Sequence, residues 1–590
     1  MNTRLRSSQN QCVQAIQART QGSMQQLDET RNPLLQYPVL KNLFDAVYLS
    51  SSDLMNCRLV CWEWYKASLG RWRKEATLTL TDDGPLVTSN EFDNSMRAFR
   101  YGSVIGLRLQ ELLEMVDVPT DPVHFLQNKS FRKYNIIFWN GLGIREPEKL
   151  KFWGIIGPLM THLTMSRTEN FNPNDLAQVL FEYVPKLHSL TYANEYIMQP
   201  SEFPYPFGLF PIRMEGFLTN WDERLRPMDS QILISLANLD ISIGVNCFPL
   251  SWIYFLARVP NIKVLTLRLI SCAHWNPVGR VDHPNELLLI VRALLTVREE
   301  LGPNYFSQLK ELHLIGFMDH QNDLLPEYIL APLRELRLGI TYLSLDITPN
   351  RGATALKQML MMYSGTLEKL HVYRNDESTI PHQEFPYGVE LPHLTHLHLT
   401  GPIIKNMNFL QKVPNLRVLM LDYECTRIKC MTGTFSRGRW QNVVLPRMEE
   451  LYLAKELCGG VTVKGLMRLM PNLKKLRIGL GNEGFAMLCK IGRNLESLVL
   501  EPNAVTESAI LGIVGGEIHS VPNITDLKEL MSFTMGNLHH STKGQLSNDS
   551  IVRGILACQK LKHVSITAPS RASKKVKEML TSKFPQRKGW

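Results

Sequence analysis

One arrangement of apolar and polar positions returns through most of the chain. An apolar residue, two variable ones, a leucine, one variable residue and a last apolar residue recur. They appear as "LHSLTY" from Leu187, "LANLDI" from Leu236, "IKVLTL" from Ile262 and "LKELHL" from Leu309. The series continues with "LRELRL" from Leu333, "LEKLHV" from Leu367, "LTHLHL" from Leu394 and "LRVLML" from Leu416. "MEELYL" from Met448, "LKKLRI" from Leu473, "LESLVL" from Leu495 and "LKHVSI" from Leu561 complete twelve copies. "MTHLTM" from Met160 is a weaker copy and "ITDLKE" from Ile524 a degraded one. The alternation that ends each copy predicts a half-buried strand, with the leucine and the last apolar residue inward and the residue between them in water. Stretches such as "ELLLIVRALLTVREEL", "ATALKQMLMMYSG" and "VTVKGLMRLM" predict helices between the strands. Pro185, Pro260, Pro332, Pro392, Pro414, Pro446, Pro471 and Pro522 are expected to separate helix from strand. Proline cannot continue a helix, and it biases the residue before it towards an extended backbone.

No unit of helix, stop, strand and turn can bury its apolar side alone. Stacked units can, with a curved parallel sheet inside and helices outside. The expected fold class is therefore an α/β repeat, a leucine-rich-repeat solenoid over residues 76–568 with "ATLTL" at 76–80 as its first strand. The repeats resemble the long, irregular type, without a regular Asn or Cys shortly after each strand. "LKKLRIGLGNEGFAMLCKIGRNLESLVLE" also contains Gly479, Gly481 and Gly484 at the spacing of a dinucleotide fingerprint, with Glu501 at the end of the next strand. Lys475 and Arg477 alternate with Leu476 and Ile478, so one face of that strand meets water, unlike a strand covered on both faces. The glycines are accordingly read as a tight repeat turn.

Composition changes the picture little. The chain has 590 residues, 44% hydrophobic and 20% charged, with a formal net charge of +10. Its ten cysteines include Cys57/Cys61 and Cys425/Cys430, with no second pair at zinc spacing, so reduced thiols and no metal are expected. The Gln-rich start, residues 1–33, is expected to be disordered, and no signal core or bilayer-length apolar run is seen. The expected location is cytoplasmic, nuclear or both, without membrane attachment. The tail at 569–590 is basic but poor in aromatic residues, a weak signal for nucleic acid. No HExxH, phosphate loop or nucleophile motif appears, so no enzyme activity and no cofactor are expected.

The segment "LLQYPVLKNLFDAVYLSSSDLMNCRLVCWEWYKAS" at 34–68 stands apart. It reads as two short amphipathic helices, broken at Ser50–Ser52, in a module assigned to 34–75 that is too small to close a core alone. Val39-Leu40, Leu43-Phe44, Asp53-Leu54, Cys57, Leu59-Val60-Cys61 and Trp64 resemble the pattern of an F-box. Gln36 stands where that pattern has proline, and the stretch from Phe44 to Asp53 is longer than usual. An F-box followed by these repeats resembles the F-box/leucine-rich-repeat family. A helical cap for the solenoid is the plainer reading of the same segment.

The resemblance implies a substrate-recognition subunit of a cullin-RING ubiquitin ligase of the SCF type. Leu35, Pro38, Val39, Leu40, Leu43, Phe44, Leu54, Val60, Cys61 and Trp64 would then dock on a Skp-family adaptor that leads to the cullin and RING subunits. A protein substrate, not identified by the sequence, would lie on the concave sheet. The inferred water-facing strand centres run Asp240, Thr266, His313, Arg337, His371, His398, Met420, Tyr452, Arg477 and Val499. From these the candidate substrate contacts are His313, Arg337, His371, His398, Met420, Tyr452 and Arg477, with His396 alongside. A strip of that kind suits an acidic or phosphorylated segment, or is a plain solvated face. A metal held by His371, His396 and His398 is the minor alternative there. A repeat scaffold for protein or nucleic acid, without a ubiquitin-ligase role, is the competing function.

Overall fold

The computed structural model describes residues 40, 64, 67–68, 77–81, 104–108, 132–137, 153–154, 157–166, 173–193, 232–243, 255–269, 284–315, 325–346, 352–373, 388–400, 407–421, 444–513, 521–535, 554–566, 578–579 and 582–583. They fall in two compact units, Met1–Asn194 and Glu195–Trp590.

In the first unit, β1 (Thr77–Thr81) pairs in parallel with both β2 (Val104–Arg108) and β3 (Lys133–Ile137). β4 (His162–Ser166) and β5 (Ser189–Ala193) follow β3 in order. The expected first strand thus exists, but it lies between two others rather than at a sheet edge. β3 escapes the leucine pattern because Tyr134 stands in the leucine position, where it and Ile136 are buried. Helix α1 (Pro173–Tyr183) precedes β5 and buries Leu176, Val179 and Leu180.

Among the described residues the second unit holds twelve parallel strands in sequence order. They are β6 (Asn238–Ile243), β7 (Val264–Leu269), β8 (Glu311–Ile315), β9 (Tyr342–Asp346), β10 (Lys369–Tyr373) and β11 (His396–Thr400). Then come β12 (Val418–Leu421), β13 (Glu450–Cys458), β14 (Lys475–Gly481), β15 (Ser497–Ala504), β16 (Ser532–Met535) and β17 (His563–Ile566). The described helices are α2 (Pro284–Leu301), α3 (Leu325–Leu336), α4 (Gly352–Tyr363), α5 (Gly460–Leu469), α6 (Asn482–Ile491) and α7 (Glu507–Leu511). In each unit this is the α/β, solenoid-like repeat arrangement that the alternation predicts.

The core is the set of pattern positions themselves. Leu394, Leu397 and Leu399 are buried, as are Leu473, Leu476 and Ile478, and the strands between and beyond repeat this. The register is locked by two backbone donors on one acceptor. Thr395 and His396 both donate to the Glu368 carbonyl, Arg417 and Val418 to that of Thr395, and Glu449 and Glu450 to that of Arg417. Every strand therefore enters at the same phase, and the same pattern position faces the same side.

A second set of bonds runs where the turns before β7, β12, β14 and β15 enter their strands. Asn261 donates to the Ile234 carbonyl, Asn415 to Pro392, Asn472 to Pro446 and Asn494 to Pro471. The repeats do carry an asparagine ladder, placed just before the strand rather than after it. At β17 an ion pair between Lys560 and Glu529 takes that place.

Two strand assignments shift. "LRELRL" ends a helix: Leu330, Leu333 and Leu336 are buried at a spacing of three along α3, which runs through Pro332. Helical spacing over that stretch outcompetes the two-residue alternation. The strand is instead β9, with Ile340, Leu343 and Leu345 as the buried set. "ITDLKE" begins as a 3-10 turn, because Asn523 and Asp526 form a reciprocal capping box with backbone N–H groups. The strand there is β16, with Phe533 in the leucine position.

The fingerprint glycines do not form a turn. β14 ends at Gly481 and α6 begins at Asn482. Gly484 lies on α6, where a Cβ would stand 2.2 Å from the Cys458 carbonyl oxygen; around Gly481 a Cβ would meet nothing within 4 Å. Gly484, unlike Gly481, is demanded by packing, and the demand is close approach of α6 to the end of β13.

Candidate functional site

The candidate site is the open face of the second unit's sheet. The backbone register brings Asp240, Thr266, His313, Ser344, His371, His398, Met420, Tyr452, Arg477 and Val499 into one row, each paired with the next. Thr534 and Ser565 extend it. Six of the seven proposed substrate contacts lie in this row. The exception is Arg337. It follows α3 in the left-handed region at φ 46 and lines a groove with Leu295, Arg298 and Glu335. Ser344 holds the row position assigned to it, because β9 rather than "LRELRL" is the strand.

Two residues upstream a parallel row carries Glu311, Tyr342, Lys369, His396, Val418, Glu450 and Lys475. The alternation alone gives His396 and Lys475 of this row, while Tyr342 and Val418, both half-buried, are apolar enough to resemble core positions. Two residues downstream stand Arg268, Ile315, Tyr373 and Thr400.

The ends of this face are internally paired. Arg268 donates to both oxygens of Asp240 at 2.9–3.3 Å, and this holds its guanidinium above the usual pKa. Arg477 bonds Glu501 at 2.5 Å and lies 6.0 Å from the centroid of Tyr452. Lys475 bonds Glu450 at 2.7 Å. Arg477 is therefore a neutralised cation rather than an unengaged anion receptor.

The middle is imidazole-rich. His371 and His398 stack with ring centroids 4.1 Å apart and planes 6° apart. Tyr373 lies 5.1 Å from His371, and Thr400 Oγ1 is 3.3 Å from His398 Nε2. His396 Nδ1 is 2.8 Å from Thr395 Oγ1. His313 packs edge-on to Tyr342 at 4.8 Å; burial pushes its pKa down, against the upward pull of Glu311. Stacked rings do not converge on a point, and among the described residues no group of three His, Cys, Asp or Glu side chains is arranged to hold a metal.

Other positions are quieter. Cys458, Cys489 and Cys558 are buried and outside any disulfide; burial pushes Cys558 up to about 11 and Cys489 well above the ordinary value. Lys583, in the basic tail, donates to the carbonyls of Leu556 and Cys558. No described helix is long and apolar enough to cross a membrane.

Of the adaptor-contact candidates, Leu35, Pro38, Val39, Leu43, Phe44, Leu54, Val60 and Cys61 lie outside the described residues. Leu40 is helical and 1% exposed, so it is core within the chain. Trp64 is helical and half-buried; one turn on, the Ser68 hydroxyl donates to its carbonyl at 2.7 Å.

The class that this geometry defines is a parallel-strand repeat protein with a continuous open sheet face. No family model and no curated protein matches the chain. Among solved structures, a chain of the Rad7 and Elc1 complex in yeast is similar at a TM-score of 0.35 and 16% identity. That match covers 58% of this chain and 78% of the other. A likeness at that level carries no functional argument.

Proposed function

We propose that the chain is a non-catalytic substrate receptor of a cullin-RING ubiquitin ligase. Residues 34–68 dock on a Skp-family adaptor, and the open sheet face binds a protein to be modified. The observation that carries the binding half is the row from Asp240 to Ser565, continuous over twelve strands with no helix of the described residues inserted into it. A row of that length offers an extended partner side chains at about 4.8 Å per strand, save at Thr266 and Ser344, which are buried. The adaptor half is supported by the F-box resemblance of 34–68. Tethering a substrate beside a loaded conjugating enzyme raises its local concentration, so the receptor needs no nucleophile of its own.

The test is affinity purification of the full chain beside a chain lacking 34–68 and a Phe44→Asp variant. Leu40 is unsuited to it, since charge at a core position unfolds the module as well. Adaptor and cullin are expected with the full chain and absent with both variants. Their absence from the full chain, or their recovery with the deletion, overturns the adaptor assignment.

A further inference from the structure

Over β12–β17 the open face carries an apolar end and a hydroxyl end. Val418 and Met420 stand on β12 and Tyr452 on β13, and all three are half-buried, with part of their surface in water. Tyr452 is in register with Met420 on one side and Arg477 on the other, and the Arg477 guanidinium lies 6.0 Å from its ring centroid. Methionine, tyrosine and arginine side by side on three strands are the side chains most enriched where proteins meet. From β15 onward the rows hold Ser497, Ser532, Thr534 and Ser565, with His563 at the end. The four hydroxyls have no side-chain hydrogen-bond partner among the described residues.

The charges within this tract balance. Glu450 pairs with Lys475 at 2.7 Å, and Arg477 with Glu501 at 2.5 Å. At the turn entries Arg417 pairs with Glu449, and Lys474 with Glu496. Lys562, just before β17, stands outside these pairs. It is four strands from Tyr452, about 19 Å at 4.8 Å per strand and beyond the roughly 10 Å over which charge acts in 0.1 M salt. A charged group arriving at Tyr452 must therefore draw an ion out of a pair it already has, whereas a neutral group exchanges nothing. Complementarity of charge here favours an uncharged occupant.

We propose that β12–β17 docks an uncharged, extended segment of a partner protein, with a bulky apolar side chain of that segment on Met420 and Tyr452 and its peptide groups on the hydroxyls of β15–β17. A hydroxyl both donates and accepts, so it suits the N–H and the C=O of an extended backbone equally. A helical segment satisfies its own peptide groups and gains nothing from those hydroxyls. Six strands span about 24 Å, the length of about seven extended residues. This rests on reading the open face as the substrate surface and is independent of the adaptor.

The test is selection of random twelve-residue peptides, displayed on phage, against the full chain. The enriched peptides are expected to share an aromatic or branched aliphatic residue and to lack net charge. Synthesised with a fluorescein label, they should bind with less than about a twofold change between about 0.1 M and 0.5 M salt. Tyr452→Ala should weaken them by at least about tenfold, Tyr452→Phe should restore most of the loss, and Thr534→Arg should weaken them as well. Glu501→Gln, which leaves Arg477 without its carboxylate, should turn a repeated selection towards acidic peptides. Circular dichroism and thermal unfolding of each variant confirm that it is folded. No enrichment, or enriched peptides that are charged and salt-sensitive yet lost with Tyr452→Ala, overturns the chemistry proposed. Neutral peptides that bind Tyr452→Ala and Thr534→Arg unchanged overturn the face itself as their seat. Recovery of the adaptor from the same preparations is a separate reading, so either result can fail without the other.

Discussion

Leu397 and His398 are neighbours on β11 that meet opposite environments. Leu397 is 1% exposed among leucines, whereas His398 lies on the open face against His371. Leu397→Ala is expected to cost about 2–5 kcal/mol, the range for truncating a buried leucine, and His398→Ala less than about 1 kcal/mol. Chemical denaturation of both variants checks this; equal losses would mean a strand buried on both faces. Gly484 and Gly481 offer a second contrast. A methyl at Gly484 must displace the Cys458 carbonyl, while one at Gly481 meets nothing within 4 Å. Gly484→Ala should destabilise by about 1–3 kcal/mol and Gly481→Ala by less than about 1 kcal/mol. Equal effects would mean that the spacing of the three glycines has a purpose other than packing. Arg337 occupies a backbone conformation at φ 46 that glycine adopts without a Cβ clash. Arg337→Gly is accordingly expected to leave stability unchanged or raise it by up to about 1 kcal/mol, and Arg337→Val to lower it, as thermal unfolding will show.

At the scale of elements, the strands are joined by two ladders of different strength. Asn472 reaches the Pro446 carbonyl at 2.8 Å, and Asn494 reaches that of Pro471 at 3.2 Å. Losing one such bond leaves a turn carbonyl without its protein donor, so Asn472→Ala should cost about 0.5–1.5 kcal/mol at any salt concentration. The equivalent pair at β17, Lys560–Glu529, is about half exposed on both sides. Lys560→Ala should cost no more than about 1 kcal/mol, and that loss should fade as salt rises. Denaturation midpoints at low and high salt distinguish the two. A salt-insensitive loss at Lys560 would show that its alkyl stem, rather than its charge, holds the repeat.

At the scale of the whole chain, a repeat array is only as secure as its last unit. Cys558 is 4% exposed just before β17, the last described strand, and Lys583 donates to its carbonyl and to that of Leu556. A lysine on the carbonyls of a turn satisfies them with side-chain donors. Removing residues 569–590 is expected to lower the unfolding midpoint by a few degrees and to speed alkylation of Cys558. In the intact protein Cys558 and Cys489 should resist alkylation near pH 8, since burial pushes the first thiol up to about 11 and the second well above its ordinary value. Mass spectrometry of alkylated peptides gives both readings. Rapid labelling of Cys558 in the intact chain would show that the last repeat opens without help.

The period of the leucines determined by itself that this is a parallel-strand repeat chain, and which residue of each strand looks outward. That follows because a two-residue alternation allows only one face to be apolar. It placed His313, His371, His398, Met420, Tyr452 and Arg477 on one face with no knowledge of contacts. It failed at Arg337, where Leu330, Leu333 and Leu336 obey a helical period that a six-residue pattern cannot tell from its own. It passed over β3 and β16, where Tyr134 and Phe533 fill the leucine position. Only the tertiary structure decided what the open face is chemically. Register between strands some 25 residues apart stacks His371 on His398 and hands Arg477 to Glu501. Whether a side chain stays available depends on its neighbours across the sheet, and those are fixed by backbone hydrogen bonds between repeats, not by the order of residues within one.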